Sequence, residues 1–325
     1  MKLLNSKEII DVFTLLLKIR FSEELLANKK KDKIILSPIH LSVGQEAIPI
    51  GIHRHFKKGD VVFGNHRSHH HILSLGTNLD KFFAEILCKS NGLSNGYGAS
   101  MHLVDKKKGF FGSVPIVTGS LSLATGAAFA LKVKDKNNIA IAYLGDGATE
   151  EGLFHESMLY SSKNKLPLLY VVENNEYSSN VHISLRHVKN DLTRFAKAHS
   201  INCLKVDGND FFEINQKSKK IINTMRKDRT PFLIEAKTYR HYGHVDWRED
   251  IDVGIERSKS KLVYWKKKDP LIKIQLYMTK NNILNLDKIT KLKNKINSLV
   301  NKSWDRALKY PDQIKTDLNK NIYHE

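Results

Sequence analysis

Cysteine, acidic residues and long apolar runs are all scarce in this chain of 325 residues. Its two cysteines, Cys88 and Cys203, cannot build a disulfide framework or a thiolate zinc site. Buried reduced thiols in a cytoplasmic protein are the expectation. No run of about 18 apolar residues occurs, so no membrane-crossing helix is expected. The first 20 residues are apolar but broken by Lys7, Glu8, Asp11 and Lys18. That pattern reads as an amphipathic helix and not as a signal peptide. The shortage of acids leaves 34 Asp and Glu against 53 Lys and Arg, a formal charge of +19. Such a balance raises nucleic acid or an anionic surface as a partner. Two observations weigh against it. Between 255 and 325, 17 basic residues against 7 acidic ones are spread along helical patterns and do not form an arm. The aromatic residues are not interleaved with them as a stacking platform requires.

What the chain does have is a pair of motifs, each after a bare apolar run. Ile139 to Leu144 leads into Gly145-Asp146-Gly147-Ala148-Thr149-Glu150-Glu151, and Leu166 to Val172 leads into Glu173-Asn174-Asn175-Glu176-Tyr177. Short runs without polar alternation predict strands buried on both faces of a parallel sheet. Thr149 to Lys163 predicts one crossover helix between them. Asp146 and Asn175 then fall just past the carboxyl ends of strands, where open α/β sheets bind ligands. One carboxylate and one amide oxygen are hard donors suited to Mg²⁺, an ion that keeps substrate phosphate oxygens among its ligands. Gly145 and Gly147 allow close approach of backbone to a phosphate, and a helix start adds free N–H groups. The helix dipole supplies only about 0.3–1 kcal/mol at an exposed site, so a metal and basic side chains must provide most of the binding.

Gly-Asp-Gly followed by Asn-Asn, with 26 residues between Gly147 and Asn174, resembles the thiamine diphosphate signature. The segment 145–178 is similar to the alpha subunit of the decarboxylating first component of 2-oxo acid dehydrogenase complexes. That family includes the pyruvate, branched-chain and acetoin dehydrogenases. The resemblance implies that Asp146, Asn175 and the backbone carbonyl of Tyr177 hold Mg²⁺, and that Gly147 and Ala148 touch the diphosphate. It covers about residues 5–315.

Other segments add to it. Asn5 with Glu8 resembles a capping box at the head of a helix running to about Ala27, with Ile9, Phe13, Leu17, Phe21 and Leu25 on one face. His40-Leu41-Ser42-Val43-Gly44-Gln45-Glu46-Ala47 matches a family motif. Gln45 and Glu46 are expected to open a short helix, either simply capping it or supporting the cofactor site. In 65–71, four histidines surround Arg67, and His66 with His70 has the i, i+4 spacing of a zinc pair. No third ligand is evident. An arginine–histidine grip on phosphate explains the set better: Arg67 and His69 match an aromatic-Arg-x-His motif of the family, with His66 in place of the usual tyrosine. His70 and His71 are expected on the surface or in packing. The Gly- and Ser-rich 90–102 predicts an ordered loop. Pro115 and Val117 match positions whose backbone meets the aminopyrimidine, although the family has glycine where Pro115 stands. Asn202 to Asp207 and Pro231 to Tyr239 predict two more strands. Arg240 and His244, directly after the second, match residues that reach the diphosphate and the reacting end of the cofactor. The segment 245–250 lacks the serine of the family's phosphorylated loop. Beyond Arg257 the pattern is helical, with Pro270 at a first turn.

The expected fold is α/β: an open, mostly parallel sheet flanked by helices. Residues 1–255 form the thiamine diphosphate and Mg²⁺ domain, and 256–325 a helical extension packed on it. Such enzymes need a second half that supplies a glutamate to activate the aminopyrimidine. About 85 helical residues leave no room for it. The resemblance implies a separate beta subunit in an α2β2 heterotetramer. It also implies a 2-oxo acid substrate, decarboxylation, and an acyl unit passed to lipoamide on an acyltransferase core. His244, Arg240 and His69 are the candidate catalytic residues. Two alternatives stand beside this: the same cofactor chemistry used for aldehyde transfer in sugar or cell-surface biosynthesis, and a basic nucleic-acid-binding α/β protein.

Overall fold

The computed structural model describes residues 4–135, 137–251, 254 and 257–313. Its strands are β1 (Val61–Gly64), β2 (Phe110–Ser113), β3 (Ala140–Gly145), β4 (Leu168–Asn174), β5 (Tyr177–Ser178), β6 (Val181–His182), β7 (Asn202–Asp207) and β8 (Phe232–Lys237). Six of them form one all-parallel sheet in the order β2-β1-β3-β4-β8-β7, and β5 and β6 make a small antiparallel hairpin. The two apolar runs are its centre. Side chains along a strand alternate faces, and both faces here are covered. Ile141, Tyr143, Leu169 and Val171 enter one core; Ala142, Leu144, Tyr170 and Val172 enter the other. Each large aliphatic side chain so buried contributes roughly 1.5–3 kcal/mol. β1 and β2 were not foreseen. Each is only four residues long, too short for a run to stand out.

The helices are α1 (Ser6–Lys31), α2 (Ala47–His53), α3 (His69–Ser74), α4 (Leu79–Ile86), α5 (Gly119–Val133), α6 (Gly152–Lys163), α7 (Thr193–Ala198), α8 (Phe211–Asp228), α9 (Lys259–Lys267), α10 (Pro270–Lys280) and α11 (Leu286–Leu308). Asn5 and Glu8 form the expected capping box, but α1 continues past Ala27 to three lysines in its last turn, where cations suit the helix dipole. Its buried face also differs from the i, i+4 stripe. Ile9, Phe13 and Leu17 are buried while Phe21 and Leu25 are half-buried. A step of four residues rotates about 40° past a full turn, so the buried line passes to Val12, Leu16, Ile19, Glu23 and Leu26.

The crossover helix α6 opens at Gly152, not at Thr149. A 3-10 turn, Asp146–Glu150, comes first. Pro270 does begin α10, with Asp269 as N-cap. Ile274, Ile296 and Trp304 of α10 and α11 join the same core as Ile9 and Ile141. The expected boundary at 255–256 lies outside the described residues. Cys88 is exposed and Cys203 half-buried, both free, so the expectation of buried thiols fails for Cys88. Among the described residues no helix is long and apolar enough to cross a membrane.

Candidate active site

Gly145 of β3 lies opposite Glu173 of β4, and neighbouring strands run about 4.8 Å apart. The chain positions just beyond, Asp146 and Asn175, therefore leave the same end of the sheet side by side. The Asp146 carboxylate is fully buried. Its Oδ2 accepts from Arg186, while Oδ1 has no hydrogen-bond partner among the described residues. Burial pushes this carboxyl up from its ordinary value, and the Arg186 charge opposes that shift. Asn175 is fixed at both ends: Nδ2 donates to Gln45 Oε1 at 3.0 Å, and Oδ1 accepts from the Tyr177 amide at 3.2 Å.

A cavity of about 300 Å³ opens at this point, at the lower end of the range for ligand pockets. Gly145, Gly147 and Ala148 line it, as do Asn175 and Tyr177. Glycine is required at 147, since a Cβ there would stand 2.4 Å from Ser178 Oγ. Pro115 and Val117 also line the cavity. After them Thr118, a β-branched residue, takes a left-handed φ of 62° as α5 begins, the kind of outlier that collects at ligand sites.

Arg67 and His244 line the cavity as well. Arg67 Nη1 donates to the Leu41 carbonyl at 2.6 Å and Nη2 to the His244 carbonyl at 2.9 Å. It thereby clamps the loop before Ser42 to the segment after β8. Arg240 is different. It is fully buried, its Nη2 donates to the Ser179 carbonyl, and its Nε and Nη1 have no partner among the described residues. Burial, with the charges of Arg67 and Arg257 close by, lowers its pKa well below the usual arginine range. A guanidinium in that position is under-neutralised and suits an anion.

The histidines divide into three sets. His40, His66 and His244 pack edge-to-face on the cavity wall, with ring centroids 4.6 to 5.4 Å apart. Burial and then the Arg67 charge push His40 down to about 2 and His66 and His244 to about 3, so these rings are neutral at neutral pH. His69 belongs to the floor. Its Nδ1 meets Glu23 Oε2 at 2.9 Å and its Nε2 meets Ser100 Oγ at 2.8 Å. It does not line the cavity, and both ring nitrogens are engaged; this corrects its placement beside Arg67 in a phosphate grip. His70 and His71 are fully buried and both reach Glu173 Oε1, at 2.8 and 3.2 Å. They are therefore not surface residues. Burial raises the Glu173 carboxyl, but these two histidines bring it to about 2. The zinc pairing of His66 with His70 dissolves, because the two rings join separate clusters.

Glu46 does not cap a helix with its side chain. It precedes α2 as N-cap without a side-chain bond, and instead pairs with Arg20 at 2.6 Å. Arg20 also reaches Asp269 at 2.7 Å, tying α1 to the head of α10. The Glu46 side chain therefore braces two helices and does not cap α2.

Residues 14–315 match the family described as the dehydrogenase E1 component. The chain is 30% identical to the alpha subunit of the acetoin:2,6-dichlorophenolindophenol oxidoreductase of Bacillus subtilis, over 97% of this chain and 94% of that protein. It is 31% identical to the pyruvate dehydrogenase E1 alpha subunit of Rickettsia typhi, over 87% of this chain and 86% of that one. With the corresponding subunit of Rickettsia prowazekii the identity is 35%, over 73% and 71%.

The chain belongs to the dehydrogenase E1 component family.

It is an alpha subunit of E1 type, a 2-oxo acid dehydrogenase component, in a family that binds thiamine diphosphate and pairs alpha with beta subunits. Within this E1 chain, several residues of the site escaped sequence reasoning. Arg186, on Asp146, stands in a segment with no motif. Glu23 was one acid among others in α1. Arg257 is fully buried and donates to the carbonyls of Glu249 and Tyr242, both at 2.9 Å. Glu173 stood within the recognised Glu-Asn-Asn. A carboxylate inside an otherwise apolar buried strand was the available signal that it has fixed partners.

Proposed function

We propose that this chain binds Mg²⁺ and thiamine diphosphate as the alpha half of a decarboxylating 2-oxo acid dehydrogenase. In that reading it passes the acyl unit to lipoamide. The observation that carries the proposal is the unmatched chemistry of two groups just behind the cavity lining, Asp146 between Gly145 and Gly147 and Arg240 on the Ser179 carbonyl. Asp146 Oδ1, buried and without a partner among the described residues, suits a cation, and Arg240 Nε and Nη1, equally buried and unpartnered among them, suit an anion. A divalent ion carrying a diphosphate meets both needs at once. Asp146, the Asn175 amide oxygen and the Tyr177 carbonyl are the hard oxygens that would hold Mg²⁺. Gly147 and Ala148 would present backbone to the diphosphate, with Arg240 and Arg67 supplying positive charge. Pro115 and Val117 would offer backbone atoms to the aminopyrimidine.

Thiamine diphosphate, when bound, supplies the electron sink for loss of CO2. The chain's share is orientation, charge and exclusion of water. His244 lies on the wall as a neutral ring, with its main-chain N–H held by Asp250 Oδ2 at 3.1 Å and its carbonyl held by Arg67. A neutral ring on a main chain held this way can donate a hydrogen bond to the substrate carbonyl oxygen at neutral pH. His69 acts through Glu23 and Ser100 as a support.

Partner dependence is part of the proposal. Ile116 is 71% exposed and Val117 47% at the cavity rim, and α5 and α6 leave Leu123, Phe129, Val133, Leu159 and Tyr160 open. An apolar surface of this kind marks a protein interface. A beta subunit that supplies the activating glutamate would cover it, giving an α2β2 heterotetramer that docks on a lipoyl acyltransferase core in the cytoplasm. The test is turnover of pyruvate and related 2-oxo acids by chain plus beta subunit, with thiamine diphosphate and Mg²⁺. Acyl-lipoamide formation by the pair, and none by the chain alone, is expected. CO2 release with the aldehyde unit delivered to a second carbonyl, and no lipoamide product, would replace lipoamide as acceptor. Turnover by the isolated chain would overturn the partner requirement.

A further inference from the structure

Arg186 stands where neither the motifs nor the family resemblance places a functional residue. It lies just after a 3-10 turn, Ile183–Leu185, in the segment that follows the β5–β6 hairpin. Its side chain is largely buried, and all three of its nitrogens are engaged. Nε donates to the Val181 carbonyl at 3.1 Å, Nη1 to Glu150 Oε1 and Nη2 to Asp146 Oδ2. Asp146 and Glu150 are the two ends of the 3-10 turn that carries Gly147 and Ala148. One planar fork therefore staples that turn across its ends. His187, the next residue, adds a contact to the same Glu150 oxygen at 3.0 Å.

The consequence for Asp146 is geometric. A lone carboxylate at the end of a strand can rotate about its Cβ–Cγ bond. Here Oδ2 is fixed to a guanidinium that is itself anchored at two other points. Oδ1 is thereby left off the Arg186 fork, buried and without a hydrogen-bond partner among the described residues. The charge of Arg186 is already matched by Glu150, so its effect on a neighbouring cation is mainly orientation. We infer that Arg186 is a positioning residue that aims Asp146 Oδ1 at the divalent cation and holds the Gly147–Ala148 backbone in shape for the diphosphate. The inference rests on the cofactor reading proposed above. It also ties the segment after Tyr177 to the Asp146 turn, so both metal-bearing segments are set by one side chain.

The test uses the chain with its beta subunit, thiamine diphosphate, and Mn²⁺ as a paramagnetic probe, with free Mn²⁺ read by EPR. Loss of an outer-shell partner lowers metal affinity by roughly 10–100-fold, and that is the fall expected for Arg186→Gln. Arg186→Lys keeps the charge but not the fork, and should recover only part of the affinity. Glu150→Gln leaves the Asp146 contact in place and should weaken binding less than Arg186→Gln. The melting temperature without metal reports folding separately. A lower melting temperature with Mn²⁺ affinity unchanged would mean a merely structural arginine and would overturn the inference. Tighter Mn²⁺ binding in Arg186→Gln would make Arg186 a competitor of the metal and would also overturn it. If Asp146→Asn binds Mn²⁺ as tightly as the native protein does, the cofactor reading itself fails, and the role of Arg186 falls with it.

Discussion

The floor of the cavity and the wall above it are built from the same residue types and treated in opposite ways. In the floor, each buried carboxylate finds a cationic or imidazole partner. Glu23 accepts from His69 and from both the hydroxyl and the amide of Ser42. Glu173 is bonded to His70 and His71. Glu46 and Asp269 share Arg20. Behind the wall, Asp146 and Arg240 are just as deeply buried, yet one carboxylate oxygen and two guanidinium nitrogens have no partner among the described residues. A buried polar group without a partner costs about 1–3 kcal/mol, more when charged. Among the described residues the floor keeps nitrogens without a hydrogen bond too, on Arg20, His70 and His71, but its carboxylates are all paired; Asp146 is the buried carboxylate that keeps a bare oxygen. The floor contributes to folding, and the pair behind the wall is the one we propose for binding.

Each prediction is a way to break that contrast. The largest effect is expected at Asp146. Asp146→Ala should lower metal affinity by more than about 100-fold, beyond the loss typical of an outer-shell residue, while the unliganded melting temperature stays level or rises. Calorimetric titration with Mn²⁺ and a melting curve check both halves. Next is the floor: Glu23→Ala strands the His69 ring and the Ser42 groups in a dry site, and should cost about 3 kcal/mol of stability, read by denaturant unfolding. If Glu23→Ala is neutral and Asp146→Ala unfolds the chain, the contrast is reversed. Arg240→Met should weaken thiamine diphosphate binding and yet stabilise the unliganded chain by about 1 kcal/mol, since it removes an under-compensated buried charge; thermal melts with and without cofactor measure the two signs.

A smaller effect concerns pH. His40, His66 and His244 have folded values of about 2 to 3, below their ordinary 6.5. The unfolded chain then binds protons that the folded chain does not. Their share of stability is complete above about pH 6.5 and declines as the pH falls from there toward about 3. His66→Phe should therefore shift acid unfolding of the unliganded protein to lower pH, as followed by circular dichroism. The smallest effect is at Cys88, which is exposed. Cys88→Ser should change stability by less than about 0.5 kcal/mol.

Much of this molecule could be read before its coordinates. The central strands announce themselves because a strand covered on both faces carries no polar alternation, as 139–144 and 166–172 do not. Asp146 and Asn175 follow because a chain leaving such strands must end on the ligand side. The missed parts share a cause: their signal is spatial. β1 and β2 are short strands whose residues gain meaning only from their neighbours, β3 beside β1 and β1 beside β2. His69, His70 and His71 are consecutive in sequence and look like one cluster, but α3 winds them about 100° apart, so one ring meets Glu23 and two meet Glu173. Arg186 is 40 residues from Asp146 in a stretch without periodicity, and no local pattern connects the two. Cys88 follows the general habit of free thiols to be buried until α4 ends at Ile86 and the chain turns outward.

In the proposed function, the bare Asp146 oxygen and the Arg240 guanidinium serve a metal-bound diphosphate. Melting of the chain with its beta subunit tests this directly, with thiamine diphosphate added in the presence of Mg²⁺ or of a chelator. At a hundred times the dissociation constant, a ligand that binds only the folded form stabilises it by about 2.7 kcal/mol. The account predicts that shift with Mg²⁺, its loss with the chelator, and its loss in Asp146→Ala. Equal stabilisation with and without the divalent ion, retained in Asp146→Ala, would contradict it.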